Sequence, residues 1–113
     1  MGKAKYTSTE IRKIVKVLVD MLTENKIAVD KMILYGSYAK GKPHDHSDID
    51  IAVISSSFKG KKTLEIQEKL AETLSNYLSI VEPVGYSSDD YQTAEPETLL
   101  GEIKRSGKIL YAS

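Results

Sequence analysis

The sequence predicts an α/β (α+β) domain, a small mixed sheet with helices packed on one face. Three observations lead there. Stretches of helical period at 11–22 and 66–77 alternate with short apolar, partly β-branched runs at 31–35, 48–54 and 79–84. A Gly36-Ser37 turn closes the first run, and the second alternates aspartate with isoleucine. At 113 residues the chain is long enough for one core and too short for two, so a single domain over 1–113 is expected.

Composition narrows the function classes. The chain is 41% hydrophobic and 28% charged with a formal net charge of zero, so no basic excess points to a long nucleic acid. The charge is nevertheless lopsided, nine Lys/Arg against four Asp/Glu over residues 1–42 and seven against twelve beyond. The absence of cysteine excludes disulfides, thiolate catalysis and cysteine zinc sites, and two histidines are too few for a histidine-rich metal site. With no apolar run of membrane-spanning length and no signal-peptide core, the expected location is the cytoplasm, with no membrane partner.

Each element has a local cause. Thr7 and Glu10 form a capping box, and Ile11, Ile14, Val15, Leu18, Met21 and Leu22 then keep helical spacing to about Asn25. Asp20 and Glu24 on the same helix argue against a membrane-surface role. Lys31 to Tyr35 reads as a strand; Ser37 is expected to cap a short helical turn of Tyr38 to Lys40, and Gly41, Lys42 and Pro43 open a polar loop. His44, Asp45 and His46 suggest metal binding but read as loop residues with at most a substrate contact. Asp48 to Ile54 is the second strand. Thr63 is expected to cap a second helix with Ile66, Leu70, Leu74 and Tyr77 inward, and Ala71 and Leu78 beside that stripe. Ser79 to Val84 is a third strand interrupted by Pro83, hence at an edge or ending there. Asp89 and Asp90 would cap a small turn around Tyr91. Glu97 to Arg105 is a last helix with Leu99, Leu100 and Ile103 inward and Gly107 as its C′ residue, followed by a terminal strand over Lys108 to Tyr111.

The chemistry concentrates between Ile33 and Ser55. Unpaired backbone N–H groups at a Gly-Ser turn and a helix start favour an anion such as phosphate. Asp48 and Asp50, two apart on a strand, lie roughly 6.5–7 Å from each other on one face, with Ile49, Ile51 and Val53 on the other. Unpaired, the two carboxylates repel; with magnesium between them they become ligands. A lone Asp-x-Asp is ordinarily a solvated edge strand. The full string, Gly-Ser, ten residues, then Asp-x-Asp, arises by chance in roughly one chain of this length in a thousand. Lys40 and Lys42 follow the turn where phosphate would lie.

That string resembles the signature of the polymerase β-like nucleotidyltransferase superfamily, and nearly the whole chain is similar to its minimal members, the MNT domains. VEPVGYS and the closing EIKRSGKILY resemble the ends of such domains. The resemblance implies that Gly36 and Ser37 hold the β- and γ-phosphates of ATP while Asp48 and Asp50 bind two Mg2+ ions. A third carboxylate on a neighbouring strand would complete the cluster, with Glu82 as candidate by position and Asp89 or Asp90 as alternatives. Where many relatives have aspartate there, this chain has glutamate. A single domain of this length is not expected to shape an acceptor pocket of its own, so the acceptor is expected on another molecule. MNT proteins typically partner HEPN toxins, and the resemblance implies an antitoxin that adds AMP to a tyrosine of such a partner. A non-catalytic antitoxin acting by binding and a free-standing small-molecule nucleotidyltransferase are the alternatives. An exposed apolar patch would support a homo-oligomer.

Overall fold

The computed structural model describes residues 6–43 and 48–113. Helix α1 spans Ser8–Glu24, and the capping box forms as expected, Thr7 N–H donating to Glu10 Oε1 at 2.8 Å and Glu10 N–H to Thr7 Oγ1 at 3.1 Å. Strand β1 (Lys31–Tyr35) runs directly into α2 (Gly36–Ala39), and β2 covers Ile49–Ser55. Helix α3 (Thr63–Thr73), β3 (Val81–Ser87), α4 (Ser88–Gln92), α5 (Leu99–Ser106) and β4 (Lys108–Ala112) complete the order. The expectations for His44, Asp45 and His46 lie outside the described residues.

The four strands form one mixed sheet in the order β3-β2-β1-β4, with β2 antiparallel to β1, parallel to β3, and β4 antiparallel to β1. Alternation along the strands splits the core in two. Met32, Leu34, Ile49, Ile51 and Val53 pack with α1 (Ile11, Val15, Leu18, Leu22) and α3 (Ile66, Leu70) on one face. Ile33, Ala52 and Ile54 pack with Leu100 and Ile103 of α5 on the other, with Tyr91 and Ala94 beside them. The mixed sheet is the one expected, but the helices do not all share one face. The two long amphipathic helices do; the short α4 and α5 cover the second face, which carries its own apolar set.

Several local expectations shift. The N-cap of α2 is Tyr35, without a side-chain bond, and Ser37 lies inside the helix. Thr63 is the first residue of α3, capped by Lys62 without a side-chain bond. Ser87 caps α4 by accepting from Asp90 N–H at 3.0 Å, so Asp89 and Asp90 occupy its first turn instead. Leu99 is 50% exposed because Thr98 is the N-cap of α5, which places Leu99 at the open start of the helix. Ala71 and Leu78 are exposed, and Tyr77 is half-buried past the end of α3. Gly107 closes α5 with an extended backbone (φ −74°) rather than a left-handed one. A Cβ there would stand 2.5 Å from both Ile103 O and Ile33 Cγ2, so close packing explains that glycine.

Pro83 is at an edge, as expected, yet β3 continues through it to Ser87. Gln67 of α3 shows why. Its amide donates to Pro83 O at 3.1 Å and accepts from Gly85 N–H at 2.9 Å, so these backbone groups point away from β2. The missing N–H of Pro83 therefore faces the outer edge and removes no ladder bond. Gln67 satisfies that edge, a role its sequence position did not announce.

Candidate nucleotidyl-transfer site

The fold gathers the proposed residues at one end of the α5 face. Asp50 pairs in register with Tyr35 of β1 on one side and with Glu82 of β3 on the other. Directly paired residues project from the same face, so Asp50 and Glu82 are neighbours. Asp48 precedes β2 by one position and is exposed, as is Glu82; Asp50 is half-buried. Asp89 and Asp90 follow the far end of β3, and Asp89 pairs with Lys59 at 3.5 Å. They are therefore a strand's length from the cluster, and Glu82 is the third carboxylate that the register brings in.

Gly36 forms the adjoining wall. Its φ is +74°, in the left-handed region. A Cβ on Gly36 would stand 2.2 Å from Asp50 Oδ2. Only glycine lets the turn lie against that carboxylate. Ser37 follows within α2, where the first N–H groups of a helix have no intrahelical partner. Lys40, just past α2, reaches Glu102 of α5 at 3.9 Å in an exposed pair. The turn and the second-face helix thus meet at the rim of the site.

The electrostatics are those of an uncompensated acidic cluster. Burial pushes the Asp50 carboxyl above its ordinary range, and the charges of Glu82 and then Asp48 push it further the same way. Burial also raises the Tyr35 phenol well above its usual value, with Asp50, Tyr86 and Glu82 adding to it, and burial raises Tyr86. Tyr35 and Tyr86 share the face of Asp50; Tyr35 lies directly beside it, while Tyr86 stands further along the sheet opposite Ile54. Neither was singled out from sequence; the available signal was that Tyr35 is one residue before Gly36 and two beyond core-facing Ile33.

Among the described residues, no salt bridge involves Asp48, Asp50 or Glu82. Nor do three metal-ligating side chains among them already converge as a formed metal group. The donor set itself fits Mg2+: hard carboxylate oxygens, mutually repelling, with water on one side and no described cation between them. Such carboxylates would draw in around a divalent ion.

A mixed sheet carrying a glycine turn against an Asp-x-Asp strand, with a third carboxylate on its parallel neighbour, is an arrangement suited to handling phosphate. Residues 16–113 match the family model described as polymerase beta, nucleotidyltransferase. The chain belongs to that family, in its compact MNT-type form. It is 34% identical over 66 residues to the protein adenylyltransferase MntA of Shewanella oneidensis, covering 58% of this chain and 48% of that protein. The match thus spans about half of that relative's length. It is 29% identical over 88 residues to a proposed protein adenylyltransferase of Methanocaldococcus jannaschii, covering 78% of this chain and 85% of the other. A crystal structure of a proposed nucleotidyltransferase from Sulfolobus solfataricus shares the fold, with TM-score 0.64 and 17% identity over 98% of this chain and 93% of that one. A toxin–antitoxin crystal structure with AMP-PNP matches with TM-score 0.52 and 28% identity, over 87% of this chain and 73% of the matched chain.

Proposed function

We propose that this chain is a magnesium-dependent nucleotidyltransferase that moves AMP from ATP onto a tyrosine hydroxyl of a HEPN-type toxin, acting as its antitoxin. The observation that carries this reading is the register pairing of Asp50 with Glu82 beside Gly36, which sets carboxylates against a glycine turn. Similarity to protein adenylyltransferases and to a toxin–antitoxin chain supports the acceptor class.

In this reading Gly36 and Ser37 hold the β- and γ-phosphates through backbone N–H groups and the Ser37 hydroxyl. Asp48, Asp50 and Glu82 would hold Mg2+, which supplies charge neutralisation for the attacking and leaving oxygens. The acceptor oxygen forms a bond to the α-phosphorus, the bond to the β-phosphate bridging oxygen breaks, and pyrophosphate leaves. Glu82 would complete the metal site on the acceptor side or act as the base that receives the acceptor proton.

The test is incubation of the chain and its toxin partner with α-labelled ATP and magnesium, beside the Asp48→Asn, Asp50→Asn variant. Label on the partner with wild type alone supports the reading. No label, with the toxin neutralised equally by both proteins, replaces it with neutralisation by binding.

A further inference from the structure

On the opposite side of the sheet from the carboxylates, a cleft of about 370 Å3 opens between the start of α1, the segment after α2 and the outer strand β4. Its floor is apolar, made by Ile11 and Leu34, with Tyr38 as one wall. Arg12 enters from α1 and Lys108 from β4. No described acidic side chain lines it, in a chain with sixteen Asp and Glu. Neither Arg12 nor Lys108 has an acidic partner among the described residues. Ser8 also lines the cleft.

A second anomaly lies in the same wall. Tyr38 is 8% exposed, and its hydroxyl is the buried side-chain polar atom that lacks a hydrogen-bond partner among the described residues. A buried hydroxyl left unmade costs free energy that a partner would recover. The cleft thus combines two cations without acidic partners, an apolar floor and the ring of Tyr38, whose hydroxyl is buried behind it. That set matches a doubly charged oxyanion attached to an apolar body, in a volume typical of small-ligand pockets.

We propose that this cleft is a second ligand site, for a phosphomonoester with an aromatic body of nucleoside monophosphate size, held by Arg12 and Lys108. A dianionic phosphate balances the two cations, and the body lies over Ile11, Leu34 and the Tyr38 ring. Tyr38 belongs to α2, which also carries Gly36 and Ser37, so occupancy of the cleft bears on the back of the phosphate turn. The site is independent of the carboxylates and of any metal they hold.

The test uses the Asp48→Asn, Asp50→Asn chain in EDTA, so that it stands whether or not the transferase reading does. AMP, adenosine and inorganic phosphate are titrated separately while backbone amide signals are followed by NMR. AMP is expected to shift the amides of Ser8 to Arg12 and Lys108 to Leu110, binding more tightly than either adenosine or phosphate alone. Arg12→Ala with Lys108→Ala should weaken AMP by about tenfold or more. Both side chains are exposed, and unchanged thermal unfolding of that variant would confirm intact folding. Tyr38→Phe provides a second, conservative variant, which should retain the fold and weaken AMP less. The proposal is overturned by shifts confined to Gly36 to Asp50, by equal affinity for AMP and phosphate, by no binding at millimolar AMP, or by affinity indifferent to loss of both cations.

Discussion

Strand β2 gives its two faces different work. Toward α1 and α3 it presents Ile49, Ile51 and Val53, each 0% exposed. Toward α5 it presents Ala52 and Ile54, also buried, then Asp50 and, one step before the strand, Asp48, which are not. Leu100 and Ile103 cover the middle of this second face and leave its open end to carboxylates. The difference shows how a small fold positions charge. A slip of one residue would drive Asp50 into the α1–α3 core and bring an apolar side chain to the open end, so the buried face locks the register of the acidic one. The two glycines opposite these faces divide similarly: Gly36 makes room for a carboxylate, Gly85 for helix α3.

Substitutions can break this contrast. The largest effect is expected from Asp48→Asn with Asp50→Asn, which should lower label transfer by at least 10²–10³-fold, the order seen when a transition-state charge contact is lost. Thermal unfolding and partner binding should not fall, because neither side chain supports the core. Gly36→Ala should follow, at roughly 10²-fold, since a methyl 2.2 Å from Asp50 Oδ2 must displace that carboxylate and also strains a φ of +74°. Rate assays under saturating ATP check both. Glu82→Gln should cost about 10–100-fold and weaken magnesium dependence, read from rate against magnesium concentration.

Gly85→Ala sharpens the other side. Its Cβ would lie 2.5 Å from Ile66 Cγ2 and 2.9 Å from Leu70 Cδ1 and Phe58 Cε2. Overpacking there should destabilise the fold by about 1–3 kcal/mol in denaturant titration, with transfer per folded molecule retained. The smallest effect concerns pH. Because the folded carboxyl of Asp50 is raised, the folded chain holds this proton to higher pH than the unfolded chain. The stability it contributes is present below the ordinary value of 3.8 and is lost as pH rises through the raised folded value. In metal-free buffer Asp50→Asn should therefore unfold at slightly higher temperature than wild type at neutral pH, and the gap should close below about pH 4.

Much of this was legible in the residues. The capping box at Thr7 and Glu10, the Gly36-Ser37 turn and the alternation of Asp48 to Val53 are local signals, and each is found where its pattern indicated. Glu82 was reachable only through the family resemblance, which asks for a carboxylate on a neighbouring strand, and the parallel register sets it beside Asp50. What escaped depends on tertiary choice. The second helical face was missed because α5 is one short helix whose apolar stripe does not say which side of a sheet it covers. The caps misassigned to Thr63, Asp89 and Asp90 fell within a residue or two of the observed ends, where side-chain bonds compete closely. Gln67 carries no pattern at all, and Tyr35 only its place between Ile33 and Gly36; their roles follow from backbone groups and carboxylates brought beside them by the fold.

The central claim is that Asp48, Asp50 and Glu82 form one metal-dependent centre facing the Gly36 turn. Its most direct test is a crystal structure of the chain with manganese and a non-hydrolysable ATP analogue, the metal located by anomalous scattering. The account predicts metal density bridging Asp48 and Asp50, with Glu82 within coordination range and the outer phosphates on Gly36 and Ser37. Analogue bound elsewhere, or metal that leaves all three carboxylates in water, would contradict it.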